Sequence, residues 1–295
     1  MLMHVILGAS GQVGSAVVKA LLKSEQSVTA VVRNPAKTNE LRRNGVPIAQ
    51  ADLFDAAALQ EAFRNVDTVF LLTPEDPASQ DVLHDAKSIV QNYRDAIQAS
   101  GVKKLVALSS LGAQHASGTG NLEMSYMLEH AFQGLAVQQI FIRAPYYYSN
   151  WMLYLSAAQE QGILPTFFPA DLKISMGAPA DVAAFIARAI TNAIPEQKKL
   201  YELTGPAYSS ADVASALENI LHHKVSAQTI PADQWHNTLL QAGFSENAAA
   251  NMSKMTQAVI AGITRPEQKE SKRIQLPTTL ETYFQSVLQE PALNK

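Results

Sequence analysis

Short, uninterrupted apolar runs alternate with longer amphipathic stretches through the first half of the chain. The runs are His4–Leu7, Val28–Val32, Pro47–Ala51, Thr68–Leu72, Leu105–Leu108 and Ile140–Ile142. They do not alternate apolar with polar residues, so they predict strands buried on both faces, as in a parallel sheet. Between them, Val13, Val17, Val18, Leu21 and Leu22 share one helical face. Ala58, Leu59, Ala62 and Phe63 do the same, as do Ile89, Val90, Tyr93 and Ile97. The β-α-β-α order predicts an α/β fold, a doubly wound parallel sheet with helices on both sides.

After about residue 150 the rhythm changes. Residues 162–169 read as an irregular, partly exposed segment, followed by a helix with Asp181 near its start and Val182, Phe185, Ile186 and Ala189 buried. A strand at Lys199–Leu203, a helix at Ser210–Leu221, a strand at Val225–Thr229 and a helix at Ala232–Ala242 stopped by Gly243 follow. Ser209 or Ser210, followed by Asp212, suits a helix N-cap. This division predicts a first domain over 1–150 and a smaller α/β C-terminal cap over 151–295, with a return of the chain to the sheet left open. The tail after Gln289 is expected to fray.

Composition narrows the function classes. With 295 residues, 47% of them hydrophobic, the chain can bury a sizeable core. The balance of 23 Lys+Arg against 26 Asp+Glu leaves no electrostatic footprint for nucleic acid or anionic lipid. The absence of cysteine excludes disulfides, a thiolate nucleophile and Cys-based zinc sites. No apolar run reaches the roughly 18 residues of a membrane span, and Met1–Leu7 lacks the marks of a signal peptide; cytoplasmic residence is the expectation. His222 and His223 point in different directions without nearby carboxylates, so no metal is expected. Ser109 and Ser110 lack the Gly-x-Ser-x-Gly elbow of a hydrolase.

The most informative motif is Gly8-Ala9-Ser10-Gly11-Gln12-Val13-Gly14, set between the first strand and the first helix. Glycines at this spacing permit a tight turn, a close backbone approach to pyrophosphate and close helix–strand packing, and the helix N-terminus favours anions. The second strand ends in Arg33, where NAD-selective sheets usually carry an acid for the ribose 2′-hydroxyl. A guanidinium suits a 2′-phosphate, and Lys37 adds a second cation, so NADP is expected over NAD. Asp52, with Leu53 beside it, either holds the adenine amino group or caps the helix that follows. Thr73 and Pro74, at the end of strand four, border the expected ribose and nicotinamide path.

With these residues in place the chain resembles the atypical short-chain dehydrogenases, specifically the NmrA-like family. That family includes NADPH quinone reductases, triphenylmethane reductase and NADP-sensing regulators. Further segments carry the likeness: Ile142-Arg143-Ala144-Pro145, Asp181-Val182-Ala183, Tyr201-Glu202-Leu203-Thr204-Gly205-Pro206 and Leu276-Pro277-Thr278-Thr279-Leu280. The resemblance spans nearly the whole chain and implies an NAD(P)-binding Rossmann fold with NADP(H) as cofactor.

Typical short-chain dehydrogenases use a Tyr-x-x-x-Lys helix, the phenol acting as acid. Here Tyr126 and His130 are four apart on one helix face, which makes Tyr126 a candidate acid. Aligning Glu129 with the glutamate of related extended enzymes instead puts Ser125 at the lysine position and Asn121 at the tyrosine position. One residue out of register turns a side chain by roughly 100° around a helix, so a Tyr126 packed at the domain edge is the competing reading. Without an aligned Tyr–Lys pair, the chemistry consistent with the family is direct hydride transfer to an electron-poor acceptor. Ser109, Tyr146, Tyr147, Tyr148, Asn150 and Trp151 are the candidate pocket walls for a flat ligand, and Phe167 and Phe168 supply another wall or a lid. The expected function is an NADPH-dependent oxidoreductase acting on a quinone-like or other conjugated small molecule. The alternative is a non-catalytic NADP(H)-sensing regulator that binds a protein partner. An epimerase or isoflavone-reductase-like enzyme, which wants the missing lysine, is less favoured. A homodimer stays open.

Overall fold

A computed structural model describes residues 2–267 and 271–289. Its first half follows the expected alternation: β1 (Met3–Ile6), α1 (Gln12–Lys23), β2 (Ser27–Val32), α2 (Asn39–Arg43), β3 (Ile48–Gln50), α3 (Ala56–Ala62), β4 (Thr68–Leu72), α4 (Val82–Ser100), β5 (Lys104–Ser110), α5 (Leu122–His130) and β6 (Gln138–Ala144). The second half adds β7 (Tyr146–Tyr147), α6 (Leu155–Gln161), β8 (Ile163–Thr166), β9 (Ile174–Gly177), α7 (Pro179–Thr191), β10 (Lys198–Thr204), β11 (Ala207–Tyr208) and α8 (Ser210–Leu221). It closes with β12 (Ser226–Thr229), α9 (Trp235–Gln241), α10 (Glu246–Ile260), β13 (Lys272–Gln275) and α11 (Leu280–Gln289).

Eight strands form one parallel sheet in the order β13-β10-β6-β5-β4-β1-β2-β3. The apolar runs explain the layering. On one face, Val17, Val18 and Leu21 of α1 pack with Val182 and Ile186 of α7. On the other, Leu59, Phe63, Ile89, Tyr93 and Leu128 bring in α3, α4 and α5. Chain order reverses between β1 and β4, so the helices diverge there and leave a crevice at the carboxyl ends of the strands.

The smaller layer has its own core, in which Tyr148, Trp151, Leu164, Phe168, Met176, Val213, Leu217 and Phe284 pack together. Its helix α8 opens on a capping box: the Ser209 side chain accepts from the Asp212 backbone, and Asp212 reaches back to the Ser209 amide. That settles the cap on Ser209 rather than Ser210.

The return of the chain to the sheet, left open by the sequence, occurs: the strand read at Lys199–Leu203 is part of β10, which pairs with β6 (Tyr201 opposite Ile142) in the large sheet. Two other readings are refined. Within residues 162–169, Ile163–Thr166 form β8, which pairs with β12 and buries Leu164 and Thr166 on one side, while 167–169 stay irregular. The helix read over Ala232–Ala242 starts as a 3-10 turn and becomes α9 only at Trp235. The tail after Gln289 lies outside the described residues.

The helical pair α9–α10 leans on the loop after β4. Ser245 N–H donates to the Pro77 carbonyl at 2.8 Å, and the Asn247 side chain accepts from Val82 N–H at 3.0 Å. Gly120 shows how close α10 comes to the turn before α5: a Cβ there would lie 2.0 Å from the Asn251 carbonyl oxygen.

Candidate active site

The crevice begins at the glycine turn. Gly8 adopts a left-handed φ of +63°, and a Cβ on Gly14 would sit 2.2 Å from the Gly8 carbonyl oxygen, so only glycine lets α1 pack this close to the strand end. Gly11 N–H donates to Gly8 O at 2.9 Å and closes the turn. Gly11 is also the N-cap of α1 and offers no side-chain acceptor, which leaves the first-turn amides without a capping group. Ser10, Gly11 and Gln12 are exposed, whereas Val13 and Gly14 are buried beneath them. A cradle that a Cβ would fill, over an uncapped helix N-terminus, fits a dinucleotide pyrophosphate.

Arg33 follows β2 and is exposed, with no ion-pair partner among the described residues. The side chain of Lys37 lies outside what the structure describes. Asp52 does not cap the next helix. Its Oδ1 accepts from Phe54 N–H at 3.0 Å, while Asp55 caps α3 by accepting from Ala58 N–H at 3.0 Å. Leu53 is half-buried beside it, Thr73 is half-buried and Pro74 exposed at the end of β4. The sheet thus gathers the glycine turn, Arg33, Asp52, Leu53, Thr73 and Pro74 along the ends of four adjacent strands.

Farther along, the loop after β4 meets α5 and α10. Asn121 Nδ2 donates to Glu75 Oε2 at 3.2 Å. These two face a small cavity of about 40 Å³, walled by Val82, Met124, Phe244, Ala248 and Met252. Asn121 is only 7% exposed, and its Oδ1 has no hydrogen-bond partner among the described residues. Glu75 is exposed at the rim of the crevice, with its carboxyl end turned to the cavity walls and Asn121. Crowding by the walls desolvates its carboxyl and raises its pKa, partly opposed by the Asn121 hydrogen bond.

The aromatic segment divides. Tyr146 is half-buried, edge-on to Phe168 at 5.6 Å and tilted against Trp151 at 5.8 Å. Burial raises its phenol pKa, with the charges of Tyr154 and Glu75 adding to the shift and an Asn150 hydrogen bond opposing it. Tyr147 is half-buried against the α1–α7 core, and Asn150 is half-buried. Tyr148 and Trp151 do not line an open pocket: both are sealed in the cap core. The Tyr148 hydroxyl donates to Thr278 O at 3.1 Å, and Trp151 Nε1 donates to Met176 Sδ at 3.4 Å. Phe168 belongs to the same core, and Phe167 packs on Trp235. Ser149 ties this segment to the glycine turn by donating to Gln12 Oε1 at 3.0 Å.

Comparison with known proteins decides the family. The model of the NmrA-like family matches residues 4–284. The chain belongs to the NmrA-like family. It is 29% identical over 283 residues to quinone oxidoreductase 2 of Escherichia coli (strain K12), covering 94% of this chain and 95% of that protein. It is 28% identical to the NAD(P)H azoreductase of Xenophilus azovorans, covering 86% of each. Among solved structures, the Escherichia coli NADPH-dependent quinone oxidoreductase in complex with NADPH superposes with a TM-score of 0.75 at 26% identity, over 97% of this chain and 100% of that one.

In this NmrA-like chain the glutamate used for alignment has a clear structural task. Glu129 grips Arg143 with both oxygens, Nε to Oε1 at 2.9 Å and Nη2 to Oε2 at 2.8 Å, and accepts from Ser109 Oγ at 2.6 Å. Arg143 also reaches Glu202 and Glu267. Ser109 is therefore part of a buried support rather than a free pocket group. Tyr126 is half-buried with its ring stacked on His130 at 4.0 Å, while Asn121 and Ser125 occupy the buried side of the segment.

Sequence reasoning did not single out Glu75, Phe244 or Met252. Glu75 follows Thr73-Pro74 by one residue, so its place after a central strand was the available signal. Phe244 and Met252 reach the site only through the docking of α10, which no local pattern announces. No described helix is long and apolar enough to cross a membrane.

Proposed function

We propose that this NAD(P)H-dependent oxidoreductase passes hydride from NADPH to a quinone-like or other conjugated small molecule. The observation that carries the reading is the pairing of an uncapped glycine turn with a free guanidinium, Arg33, at the end of the neighbouring strand. The first-turn amides of α1 would hold the pyrophosphate, and Arg33 the 2′-phosphate. Asp52 and Leu53 flank the adenine, and Thr73 and Pro74 border the path toward the ring. When bound, NADPH supplies a hydride. The protein's contribution is then position and exclusion of water, with Tyr146, Tyr147 and Asn150 on one side of the crevice and the α10 wall on the other.

The relatives named as quinone oxidoreductase and azoreductase support an extended, electron-poor acceptor. The test is a fluorescence titration with NADPH and NADH, followed in the same cuvette by quinones, azo dyes and cationic dyes. NADPH-preferring binding with acceptor-dependent loss of its signal is the expected result. A second reading, an NADP(H) sensor that binds a protein partner, draws on the narrowness of the 40 Å³ cavity. Tight NADPH binding without turnover across the panel would favour it.

A further inference from the structure

We propose that Glu75 donates the proton that completes reduction of the acceptor, and that Asn121 is the positioning residue that aims its carboxyl. This rests on the reductase reading above and names the proton donor for it.

Geometry singles out Glu75 among the candidate acids. Tyr126 is stacked on His130, and Ser109 is committed to Glu129. Asp76 is turned onto Ala78 N–H at 2.9 Å. Desolvation makes the half-buried Tyr146 phenol a weaker acid than an ordinary tyrosine. Glu75 alone combines a place at the carboxyl end of a central strand, a side chain open to the crevice and a fixed hydrogen bond to α5. The buried Asn121 Oδ1, without a partner among the described residues, is the independent sign that a ligand belongs here; a buried amide oxygen is expensive to leave unpaired. A hydroxyl or N–H on the reduced product would supply the missing donor.

The electrostatics agree with that role. Asp76 is the one other charged side chain lining the cavity, on the same loop as Glu75, and no lining residue is cationic. The faces turned toward it from α4, α5 and α10 are Val82, Asn121, Met124, Ala248 and Met252, with Phe244 just before α10. A desolvated carboxyl in such surroundings stays protonated to higher pH than usual. For a quinone the step balances as follows. Hydride brings two electrons and one proton, giving a hydroquinone anion. The Glu75 O–H bond then breaks as the product O–H bond forms, and the carboxylate recovers a proton from solvent at the crevice rim.

The test uses the full chain, NADPH and a water-soluble quinone. Glu75→Gln keeps shape and removes the acid. Turnover on the acid side of the wild-type alkaline limb is expected to fall roughly 100-fold, with little change in NADPH affinity or quinone KM, and the alkaline fall of the wild-type rate should vanish. In cofactor-free protein, the infrared difference between wild type and E75Q, followed against pH, should show a protonated carboxyl that persists to higher pH than that of an ordinary glutamate. Asn121→Leu removes the donor that favours the carboxylate, so the infrared transition and the alkaline limb should both move to higher pH. A purely structural Asn121 would leave both in place. Wild-type turnover in E75Q at a pH below the wild-type alkaline limb, or a Glu75 carboxyl band lost at the pH of an ordinary glutamate, overturns the Glu75 assignment while leaving the reductase standing. Wild-type protein that binds NADPH and reduces no acceptor overturns the reductase, and this role with it.

Discussion

At the Gly8–Gly14 end of the crevice the backbone itself is the proposed binding surface, whereas at the Glu75–Asn121 end side chains from distant segments are brought together. The first end is compressed into seven consecutive residues plus the tip of the adjacent strand, and its demand is negative: no Cβ at Gly14, no cap at Gly11. The second draws on the loop after β4, the start of α5, β7 and the α10 region, and its demand is positive, for groups held at set distances. Behind it stands the buried Arg143 with three carboxylates. The first end should therefore fail when atoms are added, and the second when partners are removed.

The largest expected effect tests the second half of that statement. Arg143→Leu leaves Glu129 and Glu202 buried without their cation, a loss of about 3–5 kcal/mol of stability by analogy with broken buried pairs. Urea denaturation checks it, and a loss below about 1 kcal/mol would show the cluster to be replaceable. Next comes Gly14→Ala. Its new methyl would meet the Gly8 carbonyl at 2.2 Å. Overpacking of this kind typically costs 1–3 kcal/mol, so NADPH affinity should drop roughly 10–100-fold by titration. An unchanged Kd would mean that the turn is not where the cofactor lies. Arg33→Asp should act more selectively. It should weaken NADPH by roughly 10–100-fold, the size of a lost charge-assisted pair, and NADH far less; an equal loss for both would remove Arg33 from the 2′-phosphate.

The same contrast explains what could be read from the chain alone. Strands β1, β2, β4, β5 and β6 were legible because burial on both faces leaves continuous apolar runs, and the glycine turn because its constraint is local. The helix α10 was not. Its buried face uses Ala248, Ala249, Asn251, Thr256 and Ala258, small and polar residues that leave no apolar stripe to count. Strand β13 reads Lys-Arg-Ile-Gln because a sheet edge needs little burial. Tyr148 and Trp151 misled for a related reason: an aromatic cluster looks the same in sequence whether it lines a pocket or fills a core. Glu75 and Asn121, 46 positions apart, meet only in the fold.

The smallest expected effect lies outside both ends and tests their independence. His4, on β1, is fully buried and neither ring nitrogen finds a hydrogen-bond partner among the described residues. Desolvation lowers its pKa below the ordinary histidine value, opposed first by the neighbouring Gln26 side chain and then by the Asp67 charge. The folded protein thus keeps His4 neutral where the unfolded chain would protonate it. Unfolding takes up a proton as pH falls below about 6.5, so stability is full above that value and declines toward the depressed folded pKa. His4→Leu should flatten this slope in thermal melts between pH 5 and 7. It should leave both NADPH affinity and the pH profile of turnover as they are. If H4L shifts cofactor binding and acceptor reduction together, β1 transmits strain between the two ends, and they cannot be treated as separately built sites on one sheet.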